Sequence, residues 1–388
     1  MEERSPRKVG LSDQALWERQ FTRRRLLRSA GVGAAGLLGG SALLAACSNN
    51  NAGGGGGGGG NKVVNVGFAY IGPVTDNGWT FTHDEGRKAA VAALGSQVKT
   101  TYVENVPISA EAGQTFEQLA SSNDLVIANT EYANFLSDVV KRHPDVKFME
   151  CDGHTFSGNE FAYYVSHQYP AYLLGVAGGL LATNGKIGYV GAFPSATAFN
   201  DVNPILLGAR TVNPNATVQA VMISSFFDPQ KATQATNALI DGGAQFIFSV
   251  MDEPSFLQVC QKRGVWGASW NTDIRQFGPD VYVNTYDLAP AWEAYYTEEI
   301  KKVLDGTWTA GTEVKLLPVN LGAWGDKVPT DVQDQVAAAK AKIDGGFNPY
   351  TGPLTDDAGK VRLQSGEELS PVQAYAIDWS VEGVTGVA

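Results

Sequence analysis

Cysteine is nearly absent from this chain: among 388 residues only Cys47, Cys151 and Cys260 carry a thiol, with no CxxC pair and no metal-ligand spacing. Cys151 and Cys260 are therefore expected as buried free thiols, a single disulfide between them being the less favoured alternative. Histidine is almost as scarce. His83, His143, His154 and His167 stand at no metal-binding spacing and are expected to be solvated or capping. Also missing are GxGxxG, the Walker lysine loop, HExxH and GxSxG in their required contexts. Without a nucleophile–base pair, clustered aspartates or a phosphate loop, no cofactor and no metal is expected, and the chain does not read as an enzyme. Positive charge is short as well: 29 Lys and Arg face 40 Asp and Glu, a net of -11. The first 46 residues hold eight of the basic and four of the acidic groups, which leaves the remainder at -15. A body that acidic repels nucleic acid, which is excluded as a partner.

What is present begins with an address. Thr22-Arg23-Arg24-Arg25-Leu26-Leu27-Arg28 precedes an apolar, Gly/Ala-rich run over 30–46, too short and too glycine-rich to span a membrane comfortably. The paired arginines and following leucines resemble a twin-arginine export signal. Leu44-Ala45-Ala46-Cys47 resembles a bacterial lipobox, which implies lipidation of Cys47. Residues 1–46 are thus expected to be a signal peptide and 47–62 a lipidated tether. The tether's asparagines and the glycines of 53–60 bury too little apolar surface to fold. The expected location is the extracytoplasmic face of the cell membrane, with a monomeric body free to reorient on its anchor.

From residue 63 the pattern alternates. Strand-like runs at 63–69, 99–103, 125–128, 146–150 and 161–165 enclose helix-like runs at 86–94, 112–120 and 135–141. A second series has strands at 186–191, 217–223, 245–250, 265–269 and 281–285, and helices at 203–211, 229–240 and 255–262. Short apolar strands separated by helices predict βαβ units and parallel sheets covered on both faces, with right-handed crossovers. The run 172–181, apolar nearly all round, predicts a helix buried between two lobes. An amphipathic helix over 291–304 ends at Gly306; a short strand at 315–318, a helix at 331–343 and a turn-rich tail follow. The fold class is therefore α/β, with two Rossmann-like lobes joined by a hinge. The first is expected over 63–170 with 288–310 returning to it, the second over 171–287, and 311–388 packing across both. Ligand would lie between the strand C-terminal ends of the two halves.

The stretch Tyr70-Ile71-Gly72-Pro73-Val74-Thr75-Asp76-Asn77-Gly78-Trp79 links the first strand to the first helix. Glycine and proline break regular structure there, and Asp76 and Asn77 are turn and cap formers. Trp79 is a large flat ring among small polar residues, suited to stacking on a planar ligand. Plugging the loop onto the lobe is its bland alternative.

Gly72-Pro73-Val74-Thr75-Asp76-Asn77-Gly78-Trp79-Thr80, then Pro107 with the acidic helix after it, then Phe227-Asp228-Pro229-Gln230-Lys231 and Ala238-Leu239-Ile240-Asp241-Gly242-Gly243-Ala244 together resemble the basic membrane protein family. These are lipoprotein solute-binding components of ABC importers for purine nucleosides, with the fold of type I periplasmic binding proteins. The likeness spans 63 to about 306 and parts of the tail, and is greatest to the branch associated with adenine-type bases. It implies a membrane permease as partner and a purine as ligand. Trp79 matches the family's ring below the purine, and Phe226, or its neighbour Phe227, the ring above. Asp252 and Asp273 fall where acceptors face purine N–H groups. Asn271 stands where nucleoside-binding members carry a ribose-gripping acid, and Asp287 where they carry a ribose-binding lysine. Those departures imply a free base more than a nucleoside, since charged hydrogen bonds of about 1.5–3 kcal/mol each are lost. Trp270 is a wall or a core residue; Asn77 donates to ligand or caps the helix; Thr130 and Tyr132 are cleft candidates by position alone. The other functions weighed are a sugar-binding or sensory receptor of the same fold, and an exported nucleoside-processing enzyme.

Overall fold

Strands buried on both faces need no polar alternation, and two sets of short apolar strands accordingly build two sheets. The computed structural model describes residues 62–387; the signal, Cys47 and the tether fall outside the described residues. In the first sheet Val64–Ala69 (β1), Val98–Val103 (β2), Leu125–Ala128 (β3), Lys147–Cys151 (β4) and Glu160–Ser166 (β5) are joined by Lys315–Pro318 (β11). Their order is β11-β5-β4-β3-β1-β2, every pair parallel. The second sheet holds Lys186–Gly191 (β6), Thr217–Met222 (β7), Phe246–Ser249 (β8), Trp266–Ser269 (β9) and Tyr282–Asp287 (β10). Asn320–Leu321 (β12) adds to one edge antiparallel and Val384–Thr385 (β15) to the other parallel, in the order β12-β10-β9-β8-β6-β7-β15. In both sheets the order reverses about the first strand, between β1 and β3 and between β6 and β8. Open α/β sheets form their ligand crevices outside the strand C-terminal ends at such points.

Helices Trp79–Leu94 (α1), Ala110–Ala120 (α2) and Ala133–Arg142 (α3) serve the first sheet, and Gln168–Leu181 (α4), Ala196–Arg210 (α5), Pro229–Asp241 (α6) and Ser255–Arg263 (α7) the second. The chain passes between the sheets after β5, after β10 and between β11 and β12. Ala289–Asp305 (α8) returns to pack on α1, and Thr330–Asp344 (α9) packs on α4. Local signals set several ends. Asp228 caps α6 by accepting from the Lys231 amide at 3.0 Å, with Pro229 in the first turn. Gly306, at φ +71°, closes α8 in the left-handed region.

Two expectations change here. The apolar helix α4 is not wedged between the lobes. It packs within the second, against α5 and α9, because Gly175 and Gly208 let two helix backbones meet. A Cβ on Gly175 would lie 2.2 Å from the Ile205 carbonyl oxygen, and one on Gly208 only 2.0 Å from that of Tyr172. Overpacking of this kind costs about 1–3 kcal/mol. Helix α5 begins at Ala196, not near 203, because Ser195 caps it and the interior Pro204, a breaker by sequence, is tolerated in mid-helix. Cys151 and Cys260 are buried free thiols.

The tail ties both halves. After a small hairpin of Leu354–Thr355 (β13) and Val361–Leu363 (β14), helix Pro371–Tyr375 (α10) brings the Tyr375 hydroxyl to Asp152, which lies just past β4. Asn203 of α5 then grips the Trp379 carbonyl and Val381 amide, and β15 docks on β7.

Candidate ligand site

The loop between β1 and α1 is shaped by one carboxylate. Asp76 accepts from the amides of Gly78 (2.8 Å), Thr80 (3.0 Å) and Phe81 (3.0 Å), so it, and not Asn77, satisfies the start of the helix. Asn77 instead turns the chain at φ +58°, is exposed, and offers its carbonyl to the Thr272 hydroxyl of the other lobe at 2.8 Å. Gly78 then passes so close to Asp252 that an added Cβ would sit 2.6 Å from its Oδ1 and 2.9 Å from its Cα.

Trp79 follows, 8% exposed and fixed on every side. Its Nε1 donates to the Asn129 carbonyl at the end of β3 (2.6 Å). Its ring meets His83 edge-on at 4.6 Å and Trp292 at 5.7 Å, and His83 itself stacks on Trp292 at 4.3 Å. Burial pushes the His83 imidazole well below its usual pKa, and its Nδ1 pairs with the Tyr296 hydroxyl.

The second lobe meets this ring with two of its own. Trp270, one residue past β9, stacks on Trp79 with centroids 5.4 Å apart and planes at 20°. Phe226 stacks on Trp270 at 6.2 Å and 21°. Among the described residues Trp79 and Phe226 share no ring contact with each other, and each stacks on Trp270. Phe226 also meets Phe193 edge-on at 5.8 Å, whereas Phe227 is 61% exposed, so of the two neighbours Phe226 belongs to the stack.

Asp252, past β8, binds this edge together. It accepts from the Trp79 amide (3.1 Å) and from Asn271 Nδ2 (2.8 Å), while its own amide donates to the Phe226 carbonyl (2.9 Å). Burial, then the charge of Asp76, raises its pKa well above the carboxylate norm. Asn271 is buried at φ +69°; its Oδ1 and the Trp270 Nε1 are buried polar atoms without a partner. Such atoms carry an unrelieved desolvation cost.

The remaining candidates lie apart from the stack. Asp273 is exposed and accepts from the Arg275 amide (2.9 Å) and its Nε (2.7 Å), forming an ion pair at the rim. Tyr132 turns into the first lobe's core, edge-on to Phe116 and donating to the Val106 carbonyl at 2.9 Å. Its position after β3 suited the cleft, but its apolar ring found the core. Thr130 is part-exposed at the end of β3.

A deeper polar wall is formed by residues that the sequence did not place in the cleft, among them His167, which is buried instead of solvated and makes no side-chain cap bond. Tyr164 of β5 lies 6.0 Å from the Trp79 ring, 5.5 Å from His167 and 5.3 Å from Tyr375. His167 Nδ1 pairs with Asp201 Oδ1 (2.8 Å), and Asp201 also accepts from Tyr189 (3.0 Å). Glu131 is pushed up to about 8 by burial and by the nearby charges of Asp152 and Glu150, and burial raises Asp152 to about 6. Only a run of tyrosines in a strand hinted at this wall, and such a run reads equally as core.

A carboxyl with a raised native pKa binds its proton more tightly folded than unfolded. Between the ordinary value and about 8 Glu131 therefore makes stability fall as pH rises. Glu131→Gln is expected to flatten this fall above pH 6, with a gain on the order of 2 kcal/mol at pH 8 and little change at pH 5. Chemical denaturation at the two pH values measures it; equal gains at both would leave the carboxyl's titration without a part.

Two sheets crossed three times by the chain, with rings of both lobes outside their strand ends, make the type I periplasmic-binding fold. Solved solute-binding proteins share it: one of Conexibacter woesei (TM-score 0.59, 22% identity, 73% of this chain and 97% of that one) and one of Aeropyrum pernix (0.64, 17%, 75% and 94%). Residues 63–316 match the Bmp family, described as ABC transporter substrate-binding protein PnrA-like, and the chain belongs to that family. It is 33% identical over 332 residues to a purine-binding protein of Brucella abortus, covering 83% of this chain and 93% of that one. A putative ABC transporter glucose-binding protein of Haloferax volcanii is 34% identical over 291 residues, covering 73% and 72%. The chain is thus the substrate-binding protein of an ABC transporter.

Proposed function

We propose that this protein binds a purine nucleobase between its lobes, adenine-like in its edge chemistry, and delivers it to a membrane permease. The observation that carries this reading is the stack itself. Trp79 from one lobe and Phe226 from the other both stack on a fused six–five bicycle, the Trp270 indole, and a purine is a fused six–five bicycle. Stacking on two rings is worth about 1–3 kcal/mol per ring. Beside the stack, Asn271 gives one amide N–H to Asp252 and its oxygen is unpaired, so that oxygen can accept from an exocyclic amine or ring N–H. The purine-binding Brucella relative supports the same class. The absence of a lysine at position 287 favours the base over the nucleoside.

Thermal shift and titration calorimetry with adenine, hypoxanthine, xanthine, adenosine, inosine and hexoses test this. Adenine or another free base should give the largest shift. Nucleosides shifting the protein far more than bases would refute the base assignment, and a response to hexoses alone would refute the purine.

Cys47 is the proposed lipid attachment site. Cys47→Ala is expected to move the protein from the membrane fraction to the soluble one; retention in the membrane would remove the anchor from the account.

A further inference from the structure

We infer that Trp270 is an internal occupant of the ring slot, so that ligand binding exchanges one six–five bicycle for another and weakly stacking ligands fail to displace it. The inference rests on the purine reading for the identity of the incoming ring, but its geometric core does not.

The indole stacks on Trp79 at 5.4 Å and on Phe226 at 6.2 Å, nearly parallel to both. Both distances lie in the stacking range, and among the described residues Trp79 and Phe226 meet through the indole alone, so a ligand that stacks on both must take the place Trp270 holds. Any flat ligand entering between Trp79 and Phe226 must therefore move the indole out. Trp270 is free to leave in a way that Trp79 is not. Trp79 is pinned by its Nε1 bond to Asn129, whereas the Trp270 Nε1 is buried without an acceptor. Trp270 also sits in an irregular turn, next to Asn271 at φ +69°, and not within β9.

The exchange has a direction built into it. With the indole in place, Trp270 Nε1 and Asn271 Oδ1 are both buried and unpaired. A base bearing an amine or ring N–H supplies a donor to Asn271, and the expelled indole regains a partner in water. A single ring offers less stacking area against the same competitor. Occupancy by the indole lowers every ligand's apparent affinity by the same factor, so only ligands that stack well and satisfy Asn271 keep a useful affinity. Trp270 thus sets a threshold by competition, while Trp79 and Phe226 set specificity by contact.

The test uses Trp270→Ala in the full chain with two probes: adenine and free indole. Adenine should bind the variant about five- to a hundredfold more tightly than wild type, matching the loss of one stacked competitor. Free indole should raise the melting temperature of the variant and leave wild type unmoved. In wild type the observed rate of adenine binding should level off with concentration at the rate of indole departure; in the variant it should keep rising. Weaker adenine binding by the variant, together with no indole binding, would make Trp270 a wall of the site and overturn the inference while leaving the purine reading intact. Indole binding by the variant with no purine bound by either protein would uphold the slot and refute the purine. Should the variant fail to fold, the wild-type kinetics decide alone: a plateau supports the exchange and strict linearity overturns it.

Discussion

Trp79→Ala is expected to have two separable effects. Unfolding stability should drop by about 3–5 kcal/mol, because the ring is almost fully buried and its removal leaves a cavity under Trp270. A purine base should bind about 1–3 kcal/mol more weakly. Denaturant titration reads the first and calorimetry the second. Trp79→Phe separates packing from hydrogen bonding: it keeps a ring but strands the Asn129 carbonyl that Nε1 now serves. Its affinity should fall less than that of the alanine variant. Unchanged affinity in both would place the indole outside the binding site, however well it packs.

Gly78→Ala should act on the clamp and spare the lobes. The nearest atoms to an added methyl all belong to Asp252 of the opposite lobe, the closest at 2.6 Å and its Cα at 2.9 Å. The variant cannot keep both the Trp79 amide bond to Asp252 and the Thr272 bond to Asn77 without shifting backbone. A closed arrangement penalised by about 1–3 kcal/mol loses roughly five- to a hundredfold in apparent affinity. Small-angle scattering should show the lobes standing further apart, while unfolding of each lobe stays near wild type. An unaltered scattering profile and affinity would mean that the close approach is not part of the binding state.

Much of the fold was legible because its strands are short, apolar and spaced by helices, and the loop before Trp79 announced itself through glycine, proline and a stranded aromatic. The rest depended on choices that local pattern does not record. Asp76 and Asn77 are both good cap formers, and only the path of the loop decides that Asp76 turns inward to three amides while Asn77 takes the left-handed turn. Asp273 looked available until Arg275, two positions on, proved to hold it. Tyr132 looked like a cleft residue by position, but its hydroxyl reaches a carbonyl inside the core. The depth of α4 was misjudged because an all-apolar helix says that it is buried, not in what; the glycines facing α5 carried that information. Trp270 could be wall or core on sequence alone. Its stacking on two other rings comes from bringing β7, β9 and the first lobe together, three segments that no window of sequence contains.

The tail described with the fold limits travel as well as adding packing. Tyr375 holds Asp152, just past β4, and Trp379, four positions later, is gripped by Asn203 of the second lobe. With both bonds intact, the two anchor points can part by no more than the stretched length of the backbone between them, roughly 14 Å. The tail is in effect a checkrein: it leaves small gapes unhindered and stops wide ones, so the jaws stay within reach of each other and recapture is quick.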